Sequence, residues 1–272
     1  MRLSEAGELG LLQELERRGL IVGTEHDAAE IAGLVVTQDA LVEDVHFRFD
    51  LLSWRELGFR AAAVNVSDLS ASAAEPEALL VTLAVPPETE LERVLELYEG
   101  LAEVGVPVRG GDTTSAARAV VAVTAIGRSE RVPGRAGARA GDLVVVTGPL
   151  GGAGAAFRER RLLRPPIRTA EGLRLGAVAS AMLDVSDGLG VDAGHIARRS
   201  ACRVTIDLDA VPRAGELDDL GFGEDFELLA TVPSDSRAGF PVVGRCEAGS
   251  GVVLLHRGRP YDLPGYEHFR RA

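Results

Sequence analysis

Aspartates recur in this chain where an apolar segment ends. In "AMLDVSDGLGVD" (181–192), Ala181, Met182 and Leu183 run into Asp184, Ser186 and Asp187. Two carboxylates three residues apart, with a hydroxyl between them, stand where a buried strand would take valine. Burying them unpaired costs several kcal/mol, so arginines or divalent cations must answer them. The same pattern recurs at Asp27 in "HDAAE", Asp39 in "VVTQDA", Asp68 in "VNVSDLSA", Asp112 in "RGGDTT" and Asp225 in "GEDFEL". Taken singly, each is explained by a helix N-cap or an Asx-turn. Taken together, aspartates on separate strand ends could hold more than one Mg²⁺, a hard cation that takes carboxylates, water and substrate phosphates. Such a cluster would clamp a polyphosphate and neutralise charge during phosphoryl transfer.

Other residues suit the same chemistry. In "RGGDTT", Gly110 and Gly111 allow close backbone approach beside Asp112 and the Thr113 hydroxyl. The glycine-rich "TGPLGGAGAAF" (147–157) lies between a predicted strand and helix, where backbone N–H groups could bind phosphate; a plain tight turn explains it equally well. His46 in "DVHF" could pair with a substrate phosphate, and Arg135 could reach a nucleotide phosphate. A structural histidine and a solvated arginine are the alternatives.

Composition narrows the chemistry. All 29 basic residues are arginine. The absence of lysine excludes a Walker A loop, a protein-kinase ATP lysine and a Schiff-base nucleophile. A net charge of −12 argues against nucleic-acid and anionic-membrane partners. Cys202 and Cys246 suggest neither a disulfide framework nor a zinc site, and a cytoplasmic location is expected. Glu5, Glu8, Glu14 and Glu16 argue against a signal peptide, and no 18-residue uncharged apolar run predicts a transmembrane helix.

The elements that must position these residues read as α+β and mixed α/β, in two halves, 1–137 and 138–272. Helices are predicted over 4–18, 53–74, 88–105, 169–182 and 190–201. Strands are predicted over 33–42, 77–86, 117–128 and 203–212, with two short ones near the end. Residues 106–114 read as a strand entering a glycine turn, and 143–161 as strand, glycine turn and helix. The segment 129–142, rich in Gly, Arg and Ala, reads as a linker. "GEDFELLATVP" (223–233) starts acidic and becomes a strand.

The series "VVTQDALVEDVHF", "AVNVSDLSASAAEP", "VPVRGGDTTS", "LDVSDGLGVDAGHIAR" and "GEDFELL" resembles the thiamine-monophosphate kinase family along nearly the whole chain. "DVSDG" and "GGDTT" alone would fit the wider superfamily of aminoimidazole-ribotide synthetase and selenophosphate synthetase. The resemblance implies a two-domain aminoimidazole-ribotide synthetase-like fold. Its N-terminal small sheet with helices binds ATP and Mg²⁺ and pairs in a homodimer; its C-terminal part is an α/β domain. It implies in-line transfer of the γ-phosphoryl of ATP to thiamine monophosphate, with several Mg²⁺ ions. Carried over by motif, Asp27, Thr37, Asp39, Asp68, Asp112, Asp184 and Asp187 would be metal ligands, with Asp39, Asp112 and Asp184 central to catalysis. Gly111, Asp112, Arg135 and Ser186 would contact ATP. His46, Glu224 and Tyr266 would contact the acceptor. The chain departs from the family at His26, Gln38 and Phe222, has "GGA" where "G-D-S" is usual, and is shorter between 205 and 224. Two other readings stay open: a superfamily enzyme acting on another small molecule, and a nucleotide-binding homologue without activity.

Overall fold

The computed structural model describes residues 2–22, 26–236 and 238–266. The family-like "TEHDAA" and "GYEHF" stretches therefore lie partly outside the described residues, although His26, Asp27 and Tyr266 lie within them.

The first helix, α1 (Leu3–Arg17), breaks its helical geometry at Gly7. A five-stranded sheet follows, built from β1 (Ala29–Ile31), β2 (Leu34–Val42), β3 (Glu75–Val85), β4 (Val108–Ser115) and β5 (Val120–Arg128) in the order β1-β2-β5-β3-β4. Pairing is antiparallel except between β3 and β4. One face carries alternating Val, Leu and Ala, such as Leu79, Val81 and Leu83 of β3, and is buried against α2 (Trp54–Ala71). The start of α2 follows from its sequence. Ser53 accepts from Glu56 N, and the Glu56 carboxylate accepts from Ser53 N, a capping box. Helix α3 (Leu91–Ala102) crosses α2 where Gly58 meets Gly100: a Cβ at Gly58 would lie 1.9 Å from Leu97 O, and one at Gly100 1.9 Å from Arg55 O. Only glycine lets the two backbones approach this closely.

The second sheet has seven strands: β6 (Leu143–Val146), β7 (Ala181–Asp184), β8 (Arg203–Asp207), β9 (Leu228–Val232), β10 (Val242–Glu247), β11 (Gly251–His256) and β12 (Arg259–Pro260). Their order is β12-β11-β8-β10-β6-β9-β7, with only β8 and β11 parallel. Helices α4 (Gly152–Arg158), α5 (Thr169–Gly176) and α6 (Leu189–Arg199) connect the strands. Helix α2 also reaches this half. Ser70 Oγ lies 3.3 Å from Thr169 Oγ1, and Ser67 Oγ donates to Asp184 at the end of β7. Covered on both sides, α2 is buried along most of its length, which its alanine-rich sequence permits.

The structure corrects three expectations. The 106–114 segment does not turn at its glycines; β4 runs through Gly110 and Gly111, paired in parallel with β3. Gly111 sits at φ 145°, and a Cβ there would lie 1.8 Å from Val81 O, so the glycine serves a tight strand contact. The helix predicted over 169–182 ends at Gly176, because Ala181 and Met182 pair with Thr231 and Ala230 of β9. The strand predicted over 203–212 ends at Asp207 and is followed by a turn, in which Ala210 N donates to Asp207 O.

Candidate active site

Four elements bring the carboxylates together. Asp39 is on β2, Asp68 on α2, Asp184 ends β7, and Asp27 precedes β1. All four line one cavity of about 870 Å³. Thr37 and Arg135 share that wall, as do Ser186 and Asp187 beyond β7. Most of the predicted site thus converges, from sequence positions up to 160 residues apart.

The hydrogen bonds show how the acids are held. Thr37 Oγ1 donates to Asp68 Oδ2 at 2.5 Å, and Ser67 Oγ to Asp184 Oδ2 at 2.5 Å. The Asp39 backbone N–H donates to Asn65 Oδ1 at 3.0 Å. Arg135 Nε and Nη2 grip Asp27 Oδ1 at 2.7 and 2.5 Å. The Asp27 side chain is only 3% exposed, and its Oδ2 is buried with no hydrogen-bond partner.

These carboxylates oppose one another. Burial, followed by the charge of Asp27, pushes the Asp184 carboxyl up to about 8. Burial raises Asp68 well above the usual range, with Asp39, Asp184 and Asp27 adding to it. Asp27 is also raised by burial, although Arg135 pulls it back. Burial works against the charge on Arg135, but the Asp27 carboxylate, with Asp184 and Asp68 adding to it, makes the net shift upward. One arginine does not balance this many acids. An all-oxygen donor set with an orphaned buried oxygen fits a hard divalent cation.

The DVSDG loop has its own brace. Asp192 on α6 accepts from the Ser186 and Asp187 N–H groups, each at 3.1 Å. Asp187, Asp192 and His195 each bring a ligand atom within 4.8 Å of the others. Burial, with Arg135 nearby, pulls the His195 imidazole down to about 4, so it is neutral at pH 7. Asp192 and His195 were absent from the sequence reading. Their signal was the i, i+3 pair of polar residues on an amphipathic helix that starts at the acidic loop.

The same cavity is also lined by His46, Glu224, Phe222 and Tyr266. His46 Nδ1 accepts from Val42 N at 3.0 Å, which leaves Nε2 as the protonated nitrogen of a neutral ring. Tyr266 N donates to Asp187 O at 3.0 Å. Phe222 packs with Phe157 at 5.3 Å between ring centroids, and both rings face the cavity. The turn at Gly223–Phe226 is strained. Glu224 has φ 57° and Phe226 φ 52°, which costs non-glycine residues on the order of 1–3 kcal/mol each. Backbone bonds from Glu224 N to Ser186 O and from Phe226 N to Val185 O tie this turn to the DVSDG loop.

Two expected contributors lie elsewhere. Gly111 and Asp112, on the exposed edge strand β4, border a separate cleft with Val81 and Tyr98. They do not reach the acidic cavity within one chain. Nor does the glycine-rich turn offer its N–H groups to a phosphate: the Asp225 carboxylate accepts from Gly151 N at 2.6 Å and Ala153 N at 3.0 Å, capping α4 from within the protein. Burial raises Asp225 to about 6, and these backbone bonds moderate the rise.

The fold and this cavity define a protein of the AIR synthase class. Residues 25–129 match the family described as AIR synthase related protein, N-terminal domain. The chain is 31% identical to the thiamine-monophosphate kinase of Aquifex aeolicus, over 99% of its own length and 100% of the relative's. It is 32% identical to the Mycobacterium tuberculosis enzyme of the same name, over 98% and 93%. The chain belongs to the thiamine-monophosphate kinase family. Among solved structures, AaThiL complexed with AMPPCP and TMP superposes with a TM-score of 0.87 at 29% identity, covering 98% of this chain and 99% of that one. A HypE–HypF complex, at 19% identity and a TM-score of 0.76, shares the fold.

Proposed function

We propose that this protein transfers the γ-phosphoryl group of ATP to the phosphate of thiamine monophosphate, giving thiamine diphosphate and ADP. The observation that carries this reading is the convergence of Asp27, Asp39, Asp68 and Asp184 on one cavity that His46, Glu224 and Tyr266 also line. A polyanion can be bound at such an acidic wall only through cations. Asp27, Thr37, Asp39, Asp68, Asp184 and Asp187 would hold Mg²⁺ there. When bound, Mg²⁺ would supply the positive charge that offsets the phosphates and the transferred group.

The chain's own residues do the rest. Ser186 and Arg135 meet the nucleotide, Arg135 exchanging its hold on Asp27 for a phosphate oxygen. His46 donates from Nε2 to the acceptor phosphate. Glu224 and Tyr266 orient the acceptor's rings. No side chain needs to act as general base, because a phosphate oxygen is already an anionic nucleophile at neutral pH.

The same proposal assigns Gly111 and Asp112 to the nucleotide of a second copy. Their exposed position on edge strand β4, outside the cavity of their own chain, supports a homodimer joined through the N-terminal sheets. Division near residue 137 is supported by sheet membership, since β5 closes the first sheet at Arg128 and β6 opens the second at Leu143. Among the described residues no helix is long and apolar enough to cross a membrane, and both cysteines are free thiols; we assign the protein to the cytoplasm.

The deciding experiment incubates the purified protein with ATP, Mg²⁺ and thiamine monophosphate and measures thiamine diphosphate and ADP. Equal formation of both is expected; ADP without thiamine diphosphate, or neither product, overturns the reading. A mass in solution of two chains is expected for the dimer, and a monomer mass contradicts it.

A further inference from the structure

We propose that Arg60 is a positioning residue that holds Glu224 in place for the acceptor. This rests on the reading of Glu224 as an acceptor contact. Arg60 lies on α2, in the N-terminal half, yet its side chain is 3% exposed and spans to the other half of the molecule. Its Nη1 donates to Leu163 O at 3.0 Å. Its Nη2 lies 2.7 Å from Glu224 Oε1, an ion pair without the alignment of a hydrogen bond. Its guanidinium carbon sits 5.5 Å from the centre of the Phe226 ring.

These contacts converge on the strained turn. Glu224 and Phe226, the two left-handed residues after Gly223, are the two that Arg60 touches there. A guanidinium cannot shed its charge, so a buried one requires a fixed anionic partner. Glu224, 32% exposed at the cavity wall, is that partner. Arg60 lines the cavity too, but its Nε and Nη2 are closed off from solvent and its Nη1 is committed to a carbonyl, so the Glu224 carboxylate is the more accessible polar group of the pair. With Oε1 held by Arg60, Glu224 keeps its second oxygen to accept from an N–H donor, such as the amino group of an aminopyrimidine. The planar guanidinium, with Nη1 fixed on Leu163 O, sets Nη2 beside Oε1 in a way that a flexible ammonium does not.

The test is steady-state kinetics on the full chain, with thiamine monophosphate and ATP varied separately, for Arg60→Met, Arg60→Lys, Glu224→Gln and the double variant R60M/E224Q. Arg60→Met is expected to raise KM for thiamine monophosphate about tenfold while KM for ATP stays within about twofold. Arg60→Lys should fall between wild type and Arg60→Met. The double variant should be no worse than Glu224→Gln alone, because both changes remove one device. An equal rise in both KM values, or additive losses, overturns the proposal. A raised KM in Glu224→Gln beside an unchanged KM in Arg60→Met overturns the role of Arg60 alone. An unchanged KM in Glu224→Gln overturns the reading of Glu224 and this one with it. Should Arg60→Met not fold, Arg60→Lys decides: an unchanged KM for thiamine monophosphate overturns the proposal.

Discussion

Replacing Asp184 by Asn lowers turnover at least ~100-fold at saturating Mg²⁺, the scale of losing a preorganised electrostatic group at a reacting centre. Asn keeps the shape of the side chain, and its carbonyl oxygen still accepts the Ser67 hydroxyl that now bonds Asp184 Oδ2. What it removes is charge. The same substitution relieves the metal-free protein, since it deletes a carboxylate that burial and Asp27 disfavour. The variant should therefore melt no lower than wild type in chelator. A loss of turnover without a loss of fold separates the electrostatic role from a structural one. Near-normal turnover overturns the assignment of Asp184.

Mg²⁺ should raise the melting temperature, and more so at higher pH. Asp184 titrates near 8 in the folded chain, against an ordinary value of 3.8. Between those values the folded protein holds a proton that the unfolded chain has released. Stability of the metal-free protein is therefore lost progressively as pH rises from about 4 to about 8. Asp27 and Asp68, both raised by burial, act in the same direction. A bound cation reverses this by favouring the carboxylate forms. At a hundredfold excess over Kd, binding stabilises by about 2.7 kcal/mol. For a chain of this size that corresponds to about 5 °C. Melting curves in Mg²⁺ and in chelator, compared between about pH 5 and pH 8, check this. A gap that closes as pH rises, or no gap at all, contradicts metal binding at these acids.

Much of the site was legible because its signal is local. An aspartate at the end of an apolar run is conspicuous wherever the fold later places it, and Asp27, Asp39, Asp68 and Asp184 do line one cavity. What stayed hidden depends on distant partners. Gly110 and Gly111 read as a turn because glycine usually interrupts a strand, yet the need for glycine at 111 comes from Val81 on β3. The glycine-rich start of α4 fits a phosphate loop and a plain tight turn equally well in sequence, because Asp225, its cap, lies 72 residues away from Ala153. Arg60 passed as one arginine among 29, since only burial distinguishes it. Asn65 and Ser67 were visible as polar residues in an alanine-rich helix, but their partners, Asp39 and Asp184, come from two different sheets.

That helix has a further consequence. Arg60, Val64 and Asp68 recur every fourth residue of α2 and face the cavity, with Asn65 and Ser67 beside them. Through them α2 touches Thr37, Asp39, Asp184 and Glu224, one anchor for each part of the wall. It acts as a single ruler. Positional errors in these groups are correlated: a small slide or roll of α2 displaces all of them in concert and leaves their mutual spacing nearly intact. Thermal motion can then shift these groups as a body, with Glu224 kept in step with the acids that α2 touches. Variants that tilt α2 should disturb the acidic groups and the acceptor contact at Glu224 together.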